Sequence, residues 1–271
     1  MLRGLYTATS GMMSQQRKME TLSNNMANAN TPGFKADQTA LRSFPELLMN
    51  RMGQQNIPTQ KPINLNTLTP IGGLNTGVYL QETLPSFIQG DPQQTSVNTD
   101  MMILQQAGEP GAVFFTVEHP DGTPRYTRNG NFALDAQGFL TTNSGQYVLD
   151  TNNNRIQVPT REFTLLPNGT IQIEGTPVAT LGLAYAQNPA DLIKEGSGVF
   201  RLPADAAIQA LPAANINFQV LQGHLERSNV DTGLTMSDMM SAFRAFEANQ
   251  KIIQAYDQTM QKAANEIGRI N

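Results

Sequence analysis

Residues 2–29, LRGLYTATSGMMSQQRKMETLSNNMANA, decide how this chain is read. Leu5, Ala8, Met12, Gln15, Met19, Leu22, Met26 and Ala29 fall at alternating steps of three and four. That spacing puts them on one side of a helix, as the a and d positions of a heptad with one polar break at Gln15. The other end of the chain answers it. Residues 236–270 read as one long amphipathic helix in which Met239, Phe243, Phe246, Gln250, Ile253, Met260, Ala264 and Ile267 keep the same rhythm, broken once by Asp257. Two seams at opposite ends predict that the termini return to each other and pair as a coiled coil. At 1.5 Å per residue, about 34 helical residues form a rod on the order of 50 Å long. Such a rod outreaches a domain of this size. Leu5, Met12, Met19, Leu22 and Met26 are few large side chains to offset the entropy of ordering so long a helix. The deficit points to further partners; the alternative is a coiled-coil hairpin within one chain.

Composition narrows the classes. The net charge is −4, the pI is near 5.2 and only 15% of residues are charged. No Lys/Arg run is present, so neither a nucleic-acid footprint nor attraction to a membrane surface is expected. No apolar stretch reaches 18 residues, which argues against membrane insertion. No apolar h-region follows Met1, so no cleaved signal peptide is expected, and export would need a route that reads the N-terminus itself. Cysteine is absent, which removes disulfides, thiolate catalysis and cysteine metal sites together. Thirteen Met and no Trp suit adaptable interfaces better than a rigid aromatic core.

Between the seams the pattern changes twice. Pro32 and Gly33 end the first helix. Ser43-Phe-Pro-Glu46 has capping-box spacing and predicts a short helix with Leu47, Leu48 and Met52 on one face, ended by Gly53. Residues 54–76 are rich in Gln, Asn, Pro and Thr and read as an extended linker. From Val78–Leu84 to Ile216–Val220 short β segments follow one another. Asp121-Gly122, Asn129-Gly130, Gln137-Gly138 and Ser144-Gly145 recur every seven or eight residues, as in a meander with tight hairpins. The fold class is therefore α+β: long N- and C-terminal helices pairing as a coiled coil, with a central antiparallel all-β domain. The divisions are residues 1–35 for the N-terminal helix, 36–76 for a short helix and linker, 77–222 for the β domain and 223–271 for the C-terminal helix. Thr235-Met-Ser-Asp238 resembles a capping box for that last helix.

The search for chemistry returns little. His119 lies in a turn and His224 in a loop, neither with a second His at metal spacing. Asp150-Thr-Asn152-Asn-Asn154 has Arg155 where a calcium loop needs glycine and Arg161 where it needs the bidentate glutamate, so it reads as a polar hairpin turn. No nucleophile elbow, P-loop or dinucleotide fingerprint occurs. The sequence predicts no enzyme, no cofactor and no metal.

Three blocks carry a family resemblance. Ser23-Asn-Asn-Met-Ala-Asn-Ala-Asn-Thr-Pro-Gly-Phe-Lys35 closely resembles the N-terminal signature of the bacterial flagellar basal-body rod proteins and the related hook proteins. Tyr126-Thr-Arg-Asn-Gly-Asn-Phe-Ala-Leu-Asp-Ala-Gln-Gly-Phe-Leu140 looks like their shared central β motif. Gly223-His-Leu-Glu-Arg-Ser-Asn-Val-Asp231, leading into Ala245-Phe-Glu-Ala-Asn-Gln-Lys-Ile-Ile-Gln254, is similar to their C-terminal signature. The size fits the proximal and distal rod proteins. Two departures stand out: a longer, loosened segment from Asp100 to Phe115, and Thr232-Gly-Leu-Thr235 in place of an acidic helix start, which predicts a late start or a bend near Gly233.

The resemblance implies a subunit exported unfolded by the flagellar type III apparatus. It implies helical assembly with itself and other rod and hook axial proteins, the terminal helices innermost, in an extracytoplasmic basal body. The expected assembly residues are Leu5, Met12, Met19, Leu22, Met26, Met239, Phe243, Phe246, Ile253, Met260 and Ile267, with Asn24, Asn25, Asn28 and Asn30 making subunit contacts or capping the helix end. A conduit for unfolded chains wants a polar lumen, for which Gln250, Gln254, Gln258, Gln261 and Asn265 are candidates. The competing readings are a hook or hook-junction protein, a soluble export-associated binding module, and, weakest, a cell-wall hydrolase.

Overall fold

The computed structural model describes residues 2–57, 63–105, 111–160, 162–203, 208–210 and 217–267. It has an N-terminal helix α1 (Leu2–Ala27), a C-terminal helix α2 (Thr232–Lys262) and antiparallel β structure between them. The chain divides into two compact units. The first comprises residues 1–23, 39–83 and 236–271, and the second residues 24–38 and 84–235.

The first unit holds most of both helices together with β1 (Asp37–Ser43), β2 (Leu47–Ile57), β3 (Ile63–Leu74) and β4 (Val78–Pro85). Thr7, Ser10 and Ser14 present small hydroxyls to the segment that opens β4. Thr7 Oγ1 donates to the Thr76 carbonyl at 3.0 Å, and Ser14 Oγ to the Val78 carbonyl at 3.0 Å. The short helix expected after Ser43 is absent. Leu47 to Ile57 instead pairs antiparallel with Ile63 to Leu74, and the expected linker supplies the second strand of that hairpin. Leu47, Leu48, Met49 and Ile71 are all exposed, so these positions show none of the buried period of two that identifies a strand. The backbone ladder, invisible to side-chain patterning, decides this element.

The second unit is built on a six-stranded antiparallel sheet. Its strands are β7 (Ala112–Glu118), β8 (Pro124–Thr127), β14 (Leu183–Ala186), β15 (Ile193–Lys194), β16 (Val199–Arg201) and β17 (Ile208–Ala210), in the order 15-16-8-7-14-17. Beside it lie β5 (Pro92–Gln94) paired with β19 (His224–Glu226) and β6 (Met101–Gln105) paired with β18 (Phe218–Gln222). A β9–β10 hairpin (Phe132–Leu134, Leu140–Thr142) and the β11–β12–β13 ribbon (Thr164–Leu165, Thr170–Ile173, Thr176–Thr180) complete it. The central sheet is buried on both faces, which is why β7 opens on the apolar run of residues 112–115 rather than an alternation. Val113, Phe115 and Val117 enter a core with Phe132, Leu140, Ile171 and Leu181. Ala112 and Phe114 turn the other way, onto Phe200, Leu192 and Ala184.

The turn glycines behave as their dipeptides predict, with one exception. Gly122, Gly138 and Gly145 have φ of 78°, 84° and 80°, the left-handed region that glycine enters freely. Gly130 does not turn the chain. Its amide stretch lies so close to the Met101 carbonyl that no side chain fits, and the Gly130 carbonyl accepts from Met101 N at 3.0 Å. The Asp150–Asn154 stretch is a polar turn whose Asp150 Oδ1 accepts from Asn152 N and Asn154 N at 2.7 Å each. The last helix starts without delay at Thr232, because Asp231 caps it: Asp231 Oδ1 accepts from Leu234 N at 3.0 Å. The cap lies one residue ahead of the stretch that looked irregular, and Gly233 falls within the first turn.

Two glycines in the second unit test these contacts against each other. Gly122→Ala, at φ 78° with open space around it, is expected to cost about 1–2 kcal/mol from left-handed strain alone. Gly33→Ala adds a Cβ 2.5 Å from the Arg128 carbonyl carbon at φ 69°, so its loss in urea-denaturation stability should be at least twice as large.

Candidate assembly surface

On α1 the heptad positions face inward as spaced. Leu5, Met12, Met19, Leu22 and Met26 are half-buried and Ala8 is buried. Thin cover is itself informative: within one chain none of the five large side chains is fully enclosed. On α2 the inward stripe runs through Thr235, Met239, Ala242, Phe246, Asn249, Ile253, Tyr256, Met260 and Ala263, again in steps of four and three. It shares Met239, Phe246, Ile253 and Met260 with the spacing read from the sequence. The alternate positions differ, since Phe243, Gln250, Asp257 and Ala264 are exposed. Two of the inward places, Asn249 and Tyr256, lie against glycines of α1. Gly4 abuts the Tyr256 ring, and a Cβ on Gly11 would lie 3.0 Å from Asn249 Nδ2. The two glycines are one heptad apart, as are Asn249 and Tyr256, and they match in reverse order. The side chain of Ile267 lies outside the described residues.

The outer face of α2 is divided. Met236, Met240 and Phe243 fall on one stripe and are 61%, 49% and 46% exposed, whereas a monomer's helix rarely shows three such side chains in a row. The same stripe continues through Gln250, Gln254, Gln258, Gln261 and Asn265, all exposed. One face is thus apolar near the start of the helix, carries the exposed Glu247 after Phe243, and is amide-rich from Gln250 onward. On α1, Tyr6 and Met13 are likewise exposed one heptad apart.

The asparagines divide by role. Asn25 is buried, and its amide pairs with the backbone of Asp37 in both directions: Nδ2 donates to the Asp37 carbonyl at 2.8 Å and Oδ1 accepts from its N–H at 2.9 Å. Asn28 Nδ2 donates to the Asn24 carbonyl at 2.9 Å, which also accepts from Asn28 N at 3.1 Å, so both groups tie the last turn of the helix. Asn24 and Asn30 are exposed; Asn30 and Pro32 border a cleft of about 560 Å³ with Asp91, Pro92, Leu225 and Ser228.

Three side chains inside the quoted blocks, not singled out by the sequence reading, meet in the second unit. Glu226 Oε1 lies 2.6 Å from Lys35 Nζ and Oε2 lies 3.4 Å from Arg128 Nη1, all three side chains being 1–2% exposed. Glu226 Oε1 also accepts from Gly90 N at 2.9 Å, and Lys35 Nζ donates to the Ile88 carbonyl at 2.8 Å. Arg128 donates to the Ile103 carbonyl and to Gln105 Oε1, each at 3.2 Å, while its Nε has no partner. Burial pulls the Lys35 ammonium below the ordinary lysine pKa, opposed by the Glu226 charge and reinforced by Arg128; burial likewise lowers Arg128. No periodicity or spacing in the sequence singled these three residues out. Among the described residues no group of three or more His, Cys, Asp or Glu could hold a metal ion, and no helix is long and apolar enough to cross a membrane. His119 sits 3.0 Å from Asp121 at the surface, and His224 Nδ1 lies 2.9 Å from its neighbour Gln222 carbonyl.

The exposed apolar side chains on α1 and α2 make these helices the candidate assembly surface. The sequence comparisons agree. Residues 5–35 match the profile of the Flagella basal body rod protein family, residues 110–176 the Flagellar hook protein FlgE/F/G D1 domain, and residues 221–266 the Flagellar basal body rod FlgEFG protein C-terminal family. The chain is 42% identical over 278 residues to the Flagellar hook-basal body complex protein FlhO of Bacillus subtilis, covering all of both. It is 32% identical to the Flagellar basal-body rod protein FlgG of Borreliella burgdorferi over 98% of each chain. With FlgG of Bacillus subtilis the identity is 31%, over 98% of this chain and 99% of the relative. The chain belongs to the flagellar basal-body rod and hook-basal body protein family.

The glycine contacts can be tested directly. Gly11→Val forces branched methyls toward Asn249 and is expected to destabilise the first unit by about 1–3 kcal/mol. Amide exchange should accelerate at residues 8–16 and 245–253, while the amides of β7 and β14 keep their protection.

Proposed function

We infer that this chain is a structural subunit of the flagellar basal-body rod, polymerising helically through its terminal helices into an axial shaft and export conduit. Residues 1–35 and 223–271 form its core layer, residues 36–76 connect it, and residues 77–222 form its β domain. Within the core layer α1 and α2 pair antiparallel as a coiled coil. That pairing is supported by the heptad rhythm of both inward stripes and the matched reverse order of Gly4, Gly11, Asn249 and Tyr256. Other rod and hook axial proteins are its neighbours, and the subunit has no catalytic role. It reaches the basal body through the flagellar export apparatus without a cleaved signal, and a chain free of cysteine suits passage in the unfolded state.

The single observation that carries this reading is the divided outer face of α2. Its apolar half, Met236, Met240 and Phe243, requires cover that one chain does not provide, and a neighbouring subunit provides it. Its amide half, Gln250, Gln254, Gln258, Gln261 and Asn265, lines the lumen, where uncharged polar groups neither bind nor repel a passing chain. A second reading, as a hook-junction component, draws on the 42% identity to a relative named for the hook-basal body complex.

Sedimentation at rising concentration separates assembly from one-to-one binding. The intact protein is expected to form open-ended polymers, and Met240→Asp with Phe243→Asp to leave a folded monomer; a discrete 1:1 species at every concentration contradicts the reading. Replacing Gln250, Gln254 and Gln258 with Leu is expected to stall export through the assembled rod. Unchanged hook-protein secretion from such a strain would remove these residues from the lumen.

A further inference from the structure

The charge arithmetic of the buried cluster is lopsided. Lys35 and Arg128 contribute two cations and Glu226 one anion, all within 1–2% exposure. Each residue also comes from a different part of the chain: Lys35 follows α1, Arg128 follows β8, and Glu226 ends β19, 191 residues beyond Lys35. Removing a partner from a buried ion pair is far costlier than never burying the pair, because the remaining charge loses water and gains nothing. Here the loss of Glu226 strands two cations at once.

The central sheet cannot avoid that cost by closing early. The Arg128 guanidinium carbon lies 5.7 Å from the centre of the Phe114 ring, and Phe114 stacks with Phe87 and Phe200 to form the sheet's second apolar face. Completing that face buries Arg128. Lys35 is drawn in by its neighbours, since Gly33 N donates to the Glu226 carbonyl at 2.7 Å and Asn229 Oδ1 accepts from Ala36 N at 2.7 Å. Arg227 N in turn donates to the Asp91 carbonyl at 3.0 Å, beside the β5–β19 pairing. The strand that carries Glu226 therefore arrives together with the segment that carries Lys35, or neither is placed.

We propose that Lys35, Arg128 and Glu226 form a completion lock: the β-rich unit stays open until the stretch around Glu226 is in place, and closes when that carboxylate neutralises the two cations. Folding of the unit is thereby tied to the presence of both ends of the chain, although its sheet lies wholly between them. A chain delivered piecemeal, from either end, keeps its central part open until nearly all of it has arrived.

The test follows refolding of the full chain by pulsed hydrogen exchange, read at the amides of β7, β8 and β14. Glu226→Gln keeps the shape and removes the charge. It is expected to slow the gain of protection about 100-fold and to change the unfolding rate less than threefold, because the lock acts before the sheet closes. Adding Lys35→Met to Glu226→Gln should restore at least tenfold of the lost rate by removing one stranded cation. Glu226→Asp, which keeps the charge on a shorter arm, should slow refolding less than tenfold and serves where Glu226→Gln yields too little soluble protein. The proposal is overturned if the sheet of Glu226→Gln gains protection at the normal rate and only unfolds faster. It also fails if Lys35→Met worsens the defect, or if Glu226→Asp is as slow as Glu226→Gln.

Discussion

The arrangement depends on how the two ends of the chain are tied into the β-rich unit. Residues 33–37 and 224–229 meet there through backbone bonds and side-chain amides and, at the centre, through a carboxylate held between an ammonium and a guanidinium. Buried ion clusters of this kind add little net stability over an apolar packing of the same volume. What they add is uniqueness, because a one-residue slip in any of the three contributing segments strands a charge. In the chain, α1 ends at Ala27, before Lys35, and α2 begins at Thr232, after Glu226.

The helices then do two jobs with two faces. Their inward stripes carry Met, Ala, Gly and Asn rather than the uniform Leu and Ile of a self-sufficient coiled coil, so the close approaches at Gly4 and Gly11 fix position more than they provide burial. Their outer faces retain large apolar groups at Tyr6, Met13, Met236, Met240 and Phe243 that a soluble monomer gains nothing by exposing. Low internal burial and high external apolarity go together: on the proposed assembly, free energy withheld from the monomer is released between subunits. Methionine serves such a surface well, since its unbranched thioether adapts to whichever neighbour arrives.

How much of this was legible follows the physics of each element. The two helices, the β character of the middle and the turn glycines were readable because each rests on a local rule, whether the helical period or the left-handed φ. The pairing of residues 47–57 with 63–74 was not readable, because the exposed Leu47, Leu48, Met49 and Ile71 give no alternation and Pro58, Pro62 and Pro70 suggested a linker. The alternate positions of the α2 seam were misplaced for a related reason. Phe243 is a better seam residue than Ala242 by hydrophobicity alone, so apolar spacing selects it, whereas Ala242 is the buried one. The charge cluster lay within the three quoted blocks, yet no sequence rule says which Lys, Arg and Glu among many will meet across 191 residues.

The same structure resolves a tension between stability and delivery. A subunit that must polymerise only at its destination gains from being poorly self-satisfied, yet an open apolar surface invites premature association. Here the two hazards are kept apart. The surfaces that would aggregate lie on helices whose monomeric packing is thin, so they acquire a defined stripe only as helix and register form. The unit that does have a full core carries its apolar faces inward, with Phe114 and Phe115 buried to opposite sides of one sheet. On the proposal above, that core is completed only when the stretch around Glu226 has arrived, so a closed β-rich unit marks a chain that is present from end to end.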